Sequence, residues 1–462
     1  MRISVCSALA AVAVLLTSCG GAPAPVAETA SPESQPAGSK SGLTAPDTSN
    51  VKIRGDEDDP VNQLVMQAIA DLETYWGTLY PELYGTEFTP VGGGYYAVYP
   101  SNGELPPCAT SADDISGNAF YCSTEDVIAW DAEGLLPDLQ SKFGDFVIPV
   151  VLAHEFGHAV QTRADVQGMT VTRELQADCF AGAWSKHVFD DNVFDVNAAQ
   201  LDTALAGILN LRDSLGTAAD DPNAHGSGFD RVGAFQDGFY NGASRCKEYR
   251  DNDPMVLALP FNNAEDEARG GDMDYDYVVN TVPYDLEDYW TQVYPLVSGG
   301  QPWVPVRGLE VYHPADPPMC GDQSAEGYVL FYCVPDDYVG WDNEVAMPEI
   351  ARQGGDYAVA TLLATQYGLA VLHRLGDTSD EKTATLRGDC FAGAYTASVI
   401  LQNRPETSTF GISPGDLDEG IKALLVFRGD GDVERQGAGD ARVRAFRTGV
   451  LEGAEPCVTL EP

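Results

Sequence analysis

Basic residues are scarce in this chain: 26 lysines and arginines stand against 70 aspartates and glutamates, a formal net charge of −44. So acidic a chain excludes a nucleic-acid binder as the first reading; it favours solubility and attracts cationic groups. Beyond the first 19 residues no apolar run is long enough to span a bilayer. No CxxC pair occurs, so a cysteine-built metal site has weak support. Histidine is rare, with six in 462 residues, and two of the six stand four apart.

Those two are His154 and His158, in the segment His154-Glu155-Phe156-Gly157-His158. On a helix this spacing puts both imidazoles on one face, one turn apart, where they reach a single ion. A zinc site that keeps one position for water needs a third protein ligand, and a carboxylate from a following helix supplies it in the two-histidine, one-glutamate class. Glu174 stands at that place, and Asp178 has the spacing of a carboxylate hydrogen-bonded to a ligand histidine. A bare motif of this kind also arises on solvated amphipathic helices. Here Val150, Val151, Leu152 and Ala153 precede it, Ala159 and Val160 follow, and no further charge comes before Arg163. Polar side chains in so apolar a segment are costly to bury unless something coordinates or pairs them. One Zn2+ per chain is expected, with Glu155 as general base toward a bound water.

Sliding the sequence by 211 residues lays His154, Glu155 and His158 over Thr365, Gln366 and Leu369, and Glu174 over Thr385. The same shift lays Asp178-Cys179-Phe180-Ala181-Gly182-Ala183 over an identical segment beginning at Asp389, and Arg231 through Cys246 over Arg442 through Cys457. This reads as an internal duplication in which the second copy has lost every metal ligand and kept its scaffold. Asp389 persists where no ligand histidine exists, which weakens the case for Asp178 as a metal-site residue.

The two motifs together resemble the bacterial putative neutral zinc metallopeptidase family, whose members carry a HE[FY]GH segment and a later ELQADC[FY]AG segment; Glu174-Leu175-Gln176-Ala177-Asp178-Cys179-Phe180-Ala181-Gly182 matches the second. The resemblance spans roughly residues 60 to 248 and includes Phe120-Tyr121-Cys122 and His225-Gly226-Ser227 with Arg231. It departs from the family in the loop before Cys122 and in the second copy. The resemblance implies a zinc-dependent peptidase and makes His225 the candidate donor to a developing oxyanion. Its counterpart in the second copy is Gln436. His187, His313 and His373 read as ordinary surface or core residues.

Residues 1–18 read as a signal peptide ending in small residues before Cys19. The segment Leu16-Thr17-Ser18-Cys19 resembles a bacterial lipobox, which implies lipidation of Cys19 and a lipid anchor on the extracytoplasmic side of the cell membrane. Residues 19–59, rich in Ala, Pro, Ser, Thr and Glu, read as a disordered tether. Eight cysteines remain beyond it. The duplication favours closure within each copy: Cys108 with Cys122, Cys179 with Cys246, Cys320 with Cys333 and Cys390 with Cys457. The acidic groups Asp220-Asp221 and Asp272, Asp274, Asp276 have the composition of a calcium site but fit no loop motif, and read as solvated turns.

The expected architecture is α+β: a tandem duplication of a mainly helical, zincin-like domain with short strands. Residues 60–248 form the peptidase domain, 249–275 an acidic linker, and 276–462 the degenerate repeat, in intramolecular contact with the first. The functional expectation is a membrane-tethered zinc peptidase acting on a peptide or protein substrate, with no nucleic-acid partner. The other reading is a cell-envelope binding or scaffolding lipoprotein with a structural metal. Glu155 separates them, because a structural site needs ligands but no general base.

Overall fold

The computed structural model describes residues 46–404, 408, 410–429 and 432–462. The expected signal peptide, Cys19 and the tether up to residue 45 lie outside the described residues. The fold is mixed α+β, mainly helical with small sheets. The chain divides between Ala258 and Leu259 into two compact units, inside the stretch read as a linker.

Residues 51–54, expected in the tether, belong instead to the first unit. Val51 and Ile53 are buried, and β1 (Ile53–Arg54) pairs in parallel with β2 (Gly94–Val98), Ile53 opposite Tyr95. Two apolar side chains at alternate positions seat this strand, but two residues are too few for a period to show. β4 (Val127–Asp131) lies parallel to β2, and β3 (Ala119–Cys122) pairs antiparallel with β4, giving the order β1-β2-β4-β3.

Helix α1 (Pro60–Tyr84) starts where the Asp59 carboxylate accepts from the Val61 and Asn62 amides, and stops at Gly85. Its buried face carries Val65, Ile69, Leu72 and Trp76. After α2 (Leu135–Phe143) comes α3 (Val147–Arg163), which is buried almost all round because α1, α2, α4 (Thr170–Asp191), α5 (Ala198–Asn210) and β3 pack about it. α6 (Gly228–Lys247) lies against α4. A Cβ on Gly157 of α3 would stand 2.8 Å from Ala177 Cα, and one on Gly182 of α4 would stand 1.9 Å from Phe235 O on α6. The three helices therefore cross at backbone contact, and the glycines of both motifs are packing residues.

The second unit runs α7 (Ala264–Ala268), α8 (Tyr275–Val297), β5 (Gly308–Tyr312), β6 (Met319–Cys320), β7 (Gln323–Ser324), β8 (Leu330–Cys333), β9 (Tyr338–Asp342), α9 (Ala346–Gly354), α10 (Asp356–Leu375), α11 (Glu381–Leu401), α12 (Asp416–Leu425), α13 (Asp432–Gln436) and α14 (Gly439–Glu452). β5 and β9 are parallel, β9 and β8 antiparallel, and α10 is buried among α8, α9, α11 and α12. In the first unit Cys108 faces Cys122 and Cys179 faces Cys246 at disulfide distance, with Cα separations of 6.6 and 5.5 Å. In the second, Cys320 faces Cys333 and Cys390 faces Cys457, with Cα separations of 5.6 and 5.4 Å.

Candidate metal centre

The crossing of α3 and α4 sets two histidines against one glutamate. His154 Nε2 lies 3.1 Å from His158 Nε2 and 3.2 Å from Glu174 Oε2, and His158 Nε2 lies 3.4 Å from the same oxygen. Ligand atoms about 2.0–2.1 Å from a tetrahedral zinc stand roughly 3.3 Å apart, so this triangle has the size of three zinc ligands. The donor types, two imidazole nitrogens and one carboxylate, belong to the open class of zinc site.

Both rings are held from behind. Asp178 Oδ1 is 2.7 Å from His154 Nδ1, and Gln161 Oε1 is 3.0 Å from His158 Nδ1. Each acceptor fixes the proton on Nδ1 and leaves the Nε2 lone pair facing the triangle. Arg231, on α6, grips Asp178 with Nε and Nη2, both at 2.8 Å, and Gln161 Nε2 donates to the Arg173 carbonyl at 2.6 Å. Glu155 is buried beside the ligands; its Oε2 accepts from the Tyr121 amide of β3 at 2.7 Å.

Burial works against charge on each of these groups. Despite it, Asp178 holds His154 up to about 10, and Glu174 raises His158. The two imidazoles hold Glu174 well below the usual carboxylate range, and Arg231 with His154 lowers Asp178. Glu155 goes the other way, because its burial outweighs the two histidines. A cation held there would take the place of the imidazole protons and release them to solvent.

The triangle lines a cavity of about 920 Å³ that also receives Glu155, Tyr121, Arg173 and His225. His225 is half exposed, with its amide and Nδ1 tied to Asp213 at 2.7 and 3.1 Å. His187 is engaged elsewhere, between Asp71 and Asp191. The sequence names Arg231 and Tyr121 only within the family resemblance, without a role, and Gln161 not at all. Gln161 sits three residues after His158, a spacing that points to the contact. Arg231 recurs as Arg442 but lies far from the motif in the chain, and Tyr121 acts through a backbone amide that any residue supplies.

The second unit separates packing from metal chemistry. Arg442 grips Asp389 with Nε at 2.7 Å and Nη2 at 2.8 Å, in the manner of Arg231 and Asp178. Where the first unit has its histidines, Thr365 donates to the Leu362 carbonyl and Gln366 donates to Thr365. Among the described residues no metal-ligating group of three includes Thr365, Gln366, Leu369 or Thr385. The aspartate–arginine pair is thus a helix-to-helix clamp, and the first unit uses its clamp to orient His154 as well.

A two-histidine, one-glutamate triangle on crossed helices, with a glutamate following the first histidine, is the site of a zinc hydrolase class. The chain belongs to the putative neutral zinc metallopeptidase family, whose model matches residues 11–249. It is similar to the uncharacterized protein YpfJ of Escherichia coli (strain K12), 31% identical over 157 residues, which cover 28% of this chain and 53% of that protein. It is also similar to the uncharacterized protein Rv2575 of Mycobacterium tuberculosis (strain ATCC 25618 / H37Rv), 32% identical over 92 residues, covering 17% and 31%. The chain thus spans about half the length, or less, of the curated relatives it matches. No solved structure matches it.

Proposed function

We propose that the first unit is a zinc-dependent peptidase domain, and that the chain carries it on a lipid anchor at Cys19, outside the cytoplasmic membrane. The observation that carries this reading is the convergence of His154, His158 and Glu174 with Glu155 buried beside them. His154, His158 and Glu174 would hold zinc, which would supply a Lewis acid and would lower the pKa of a water toward about 7. Glu155, tied through Oε2 to the Tyr121 amide, would act as the general base, accepting a proton from the attacking water and passing it to the leaving amine. Burial that raises its pKa suits it to both steps. Asp178 and Gln161 keep the two imidazoles in the ligating tautomer, and His225, steadied by Asp213, donates from Nε2 to the developing oxyanion.

The second unit is, in this reading, a duplicate of the same zincin-like domain without its metal ligands, and one zinc is bound per chain. No nucleic acid is involved; the partner is a peptide or protein substrate. The experiment is zinc content and proteolysis across three substitutions. His154→Ala and Glu174→Ala lose zinc and activity together. Glu155→Gln keeps zinc and loses activity by about 10²-fold or more. Full activity in Glu155→Gln would show that Glu155 is not the general base, and zinc bound without proteolysis in the wild type would leave the scaffolding reading with a structural metal in place of this one.

A further inference from the structure

Acidic side chains converge a second time, in the unit without the histidines. Asp272, Asp356 and Glu419 each bring a carboxylate oxygen within 4.8 Å of the others, and Asp416 adjoins them. They come from three places: the turn ahead of α8, the first residue of α10, and the first turn of α12. A backbone amide orients each buried carboxylate. Asp356 Oδ2 accepts from Met273 N at 2.9 Å, Glu419 Oε2 from Tyr357 N at 2.9 Å, and Asp416 Oδ2 from Ser413 N at 2.7 Å.

Capping accounts for those oxygens and not for the others. Asp356 is 2% exposed and Asp416 1%, and Oδ1 of each has no hydrogen-bond partner. The charges acting most strongly on Asp416 and Glu419 are the neighbouring carboxylates. Burying like charges without an opposite one is costly, so a set of this kind calls for a cation. Room is also kept for the approach: Gly355 has φ +92°, and a Cβ on it would stand 1.9 Å from the Glu419 carboxyl carbon.

We propose that Asp272, Asp356 and Glu419, with Asp416 beside them, bind one calcium ion that ties the turn ahead of α8 to the starts of α10 and α12. The donors are all carboxylate oxygens, the set that hard divalent cations take and zinc does not prefer. Calcium takes about six to eight oxygen ligands in flexible geometry, whereas magnesium keeps several waters and takes one or two carboxylates, so convergent carboxylates on three segments suit calcium. Asp272 is exposed, which leaves the ion a path from solvent and positions for water. The site stands apart from the zinc reading of the first unit and does not depend on it.

The test uses the full chain, zinc-saturated and dialysed free of other divalent ions, titrated with calcium while its melting is followed. The expected result is a melting temperature that rises with calcium and saturates as one calcium is retained per chain in equilibrium dialysis. Asp356→Asn and Glu419→Gln each remove one charge from the cluster. In calcium-free buffer they melt no lower than the wild type, and both lose the calcium-dependent rise. Asp274→Asn, an exposed neighbour, keeps it. A wild type that neither retains calcium nor shifts its melting overturns the proposal. So does a rise that persists undiminished in Asp356→Asn and Glu419→Gln, as general binding to an acidic surface would give. A larger response to magnesium than to calcium overturns the choice of ion.

Discussion

At the scale of single residues, the Asp178–Arg231 and Asp389–Arg442 pairs are one device in two settings. Both are buried and bidentate, so Asp178→Ala and Asp389→Ala each leave a buried guanidinium without its partner and are expected to cost about 3–5 kcal/mol, read from denaturant unfolding. Only Asp178→Ala is expected to weaken zinc binding, by about 10- to 100-fold, because only Asp178 touches a ligand histidine. Equal zinc affinity in both variants would show that Asp178 is a clamp and nothing more. The convergence of His154 and His158 was legible in the sequence, since a four-residue spacing on a helix places two side chains on one face. Asp178 was ambiguous for a physical reason: Asp389, which the 211-residue shift lays under it, stands without a histidine because Arg442 holds it. Tyr121 orients the site through a backbone amide, which leaves no mark at the level of residue type.

At the scale of elements, α1 presents one apolar face, and Asp59 and Gly85 mark its ends. α3 was found through its motif, because a helix buried on all sides has no polar face to set a period. β1 and β3 are too short to register, and β3 matters for the site through its backbone. The α3–α4 crossing is where fold and chemistry meet. Gly157→Ala puts a methyl into the Ala177 backbone, with an expected cost of about 1–3 kcal/mol and a loss of zinc affinity as Glu174 moves off the histidines. Gly77→Ala, in α1 with open space around it, is expected to be neutral or stabilising by up to about 1 kcal/mol. Thermal melts and zinc titration of the pair check both, and a Gly157→Ala variant that binds zinc like the wild type would show that the helices tolerate separation. In α10, burial, opposed by the Met273 amide and aided by Asp272, pushes Asp356 up to about 6. A carboxyl raised from about 3.9 in the unfolded chain stabilises the fold fully below that value, and the contribution is lost as pH rises through about 6. In calcium-free buffer the melting temperature of the wild type should therefore fall relative to Asp356→Asn between about pH 5 and about pH 7. Parallel profiles would contradict the placement of Asp356 among Asp272, Asp416 and Glu419.

At the scale of the whole molecule, the chain divides between Ala258 and Leu259, within the stretch 249–275 expected as an acidic linker. Its residues are not loose: Asp251 accepts from Met169 N in the first unit, and Asn262 donates to the Ile412 carbonyl in the second. Such contacts join distant segments, which composition alone does not reveal. The lipid anchor is tested separately: Cys19→Ser is expected to release the protein from membranes or leave it unprocessed, and unchanged membrane association would exclude the anchor. The central claim is that His154, His158 and Glu174 hold one zinc with a position left for water. X-ray absorption at the zinc edge, recorded on the full chain carrying Glu155→Gln, tests it most directly. The account predicts one zinc per chain with nitrogen and oxygen neighbours only, two of them imidazoles, at about 2.0–2.2 Å; a sulfur neighbour near about 2.3 Å, or zinc retained after His154→Ala, would contradict it.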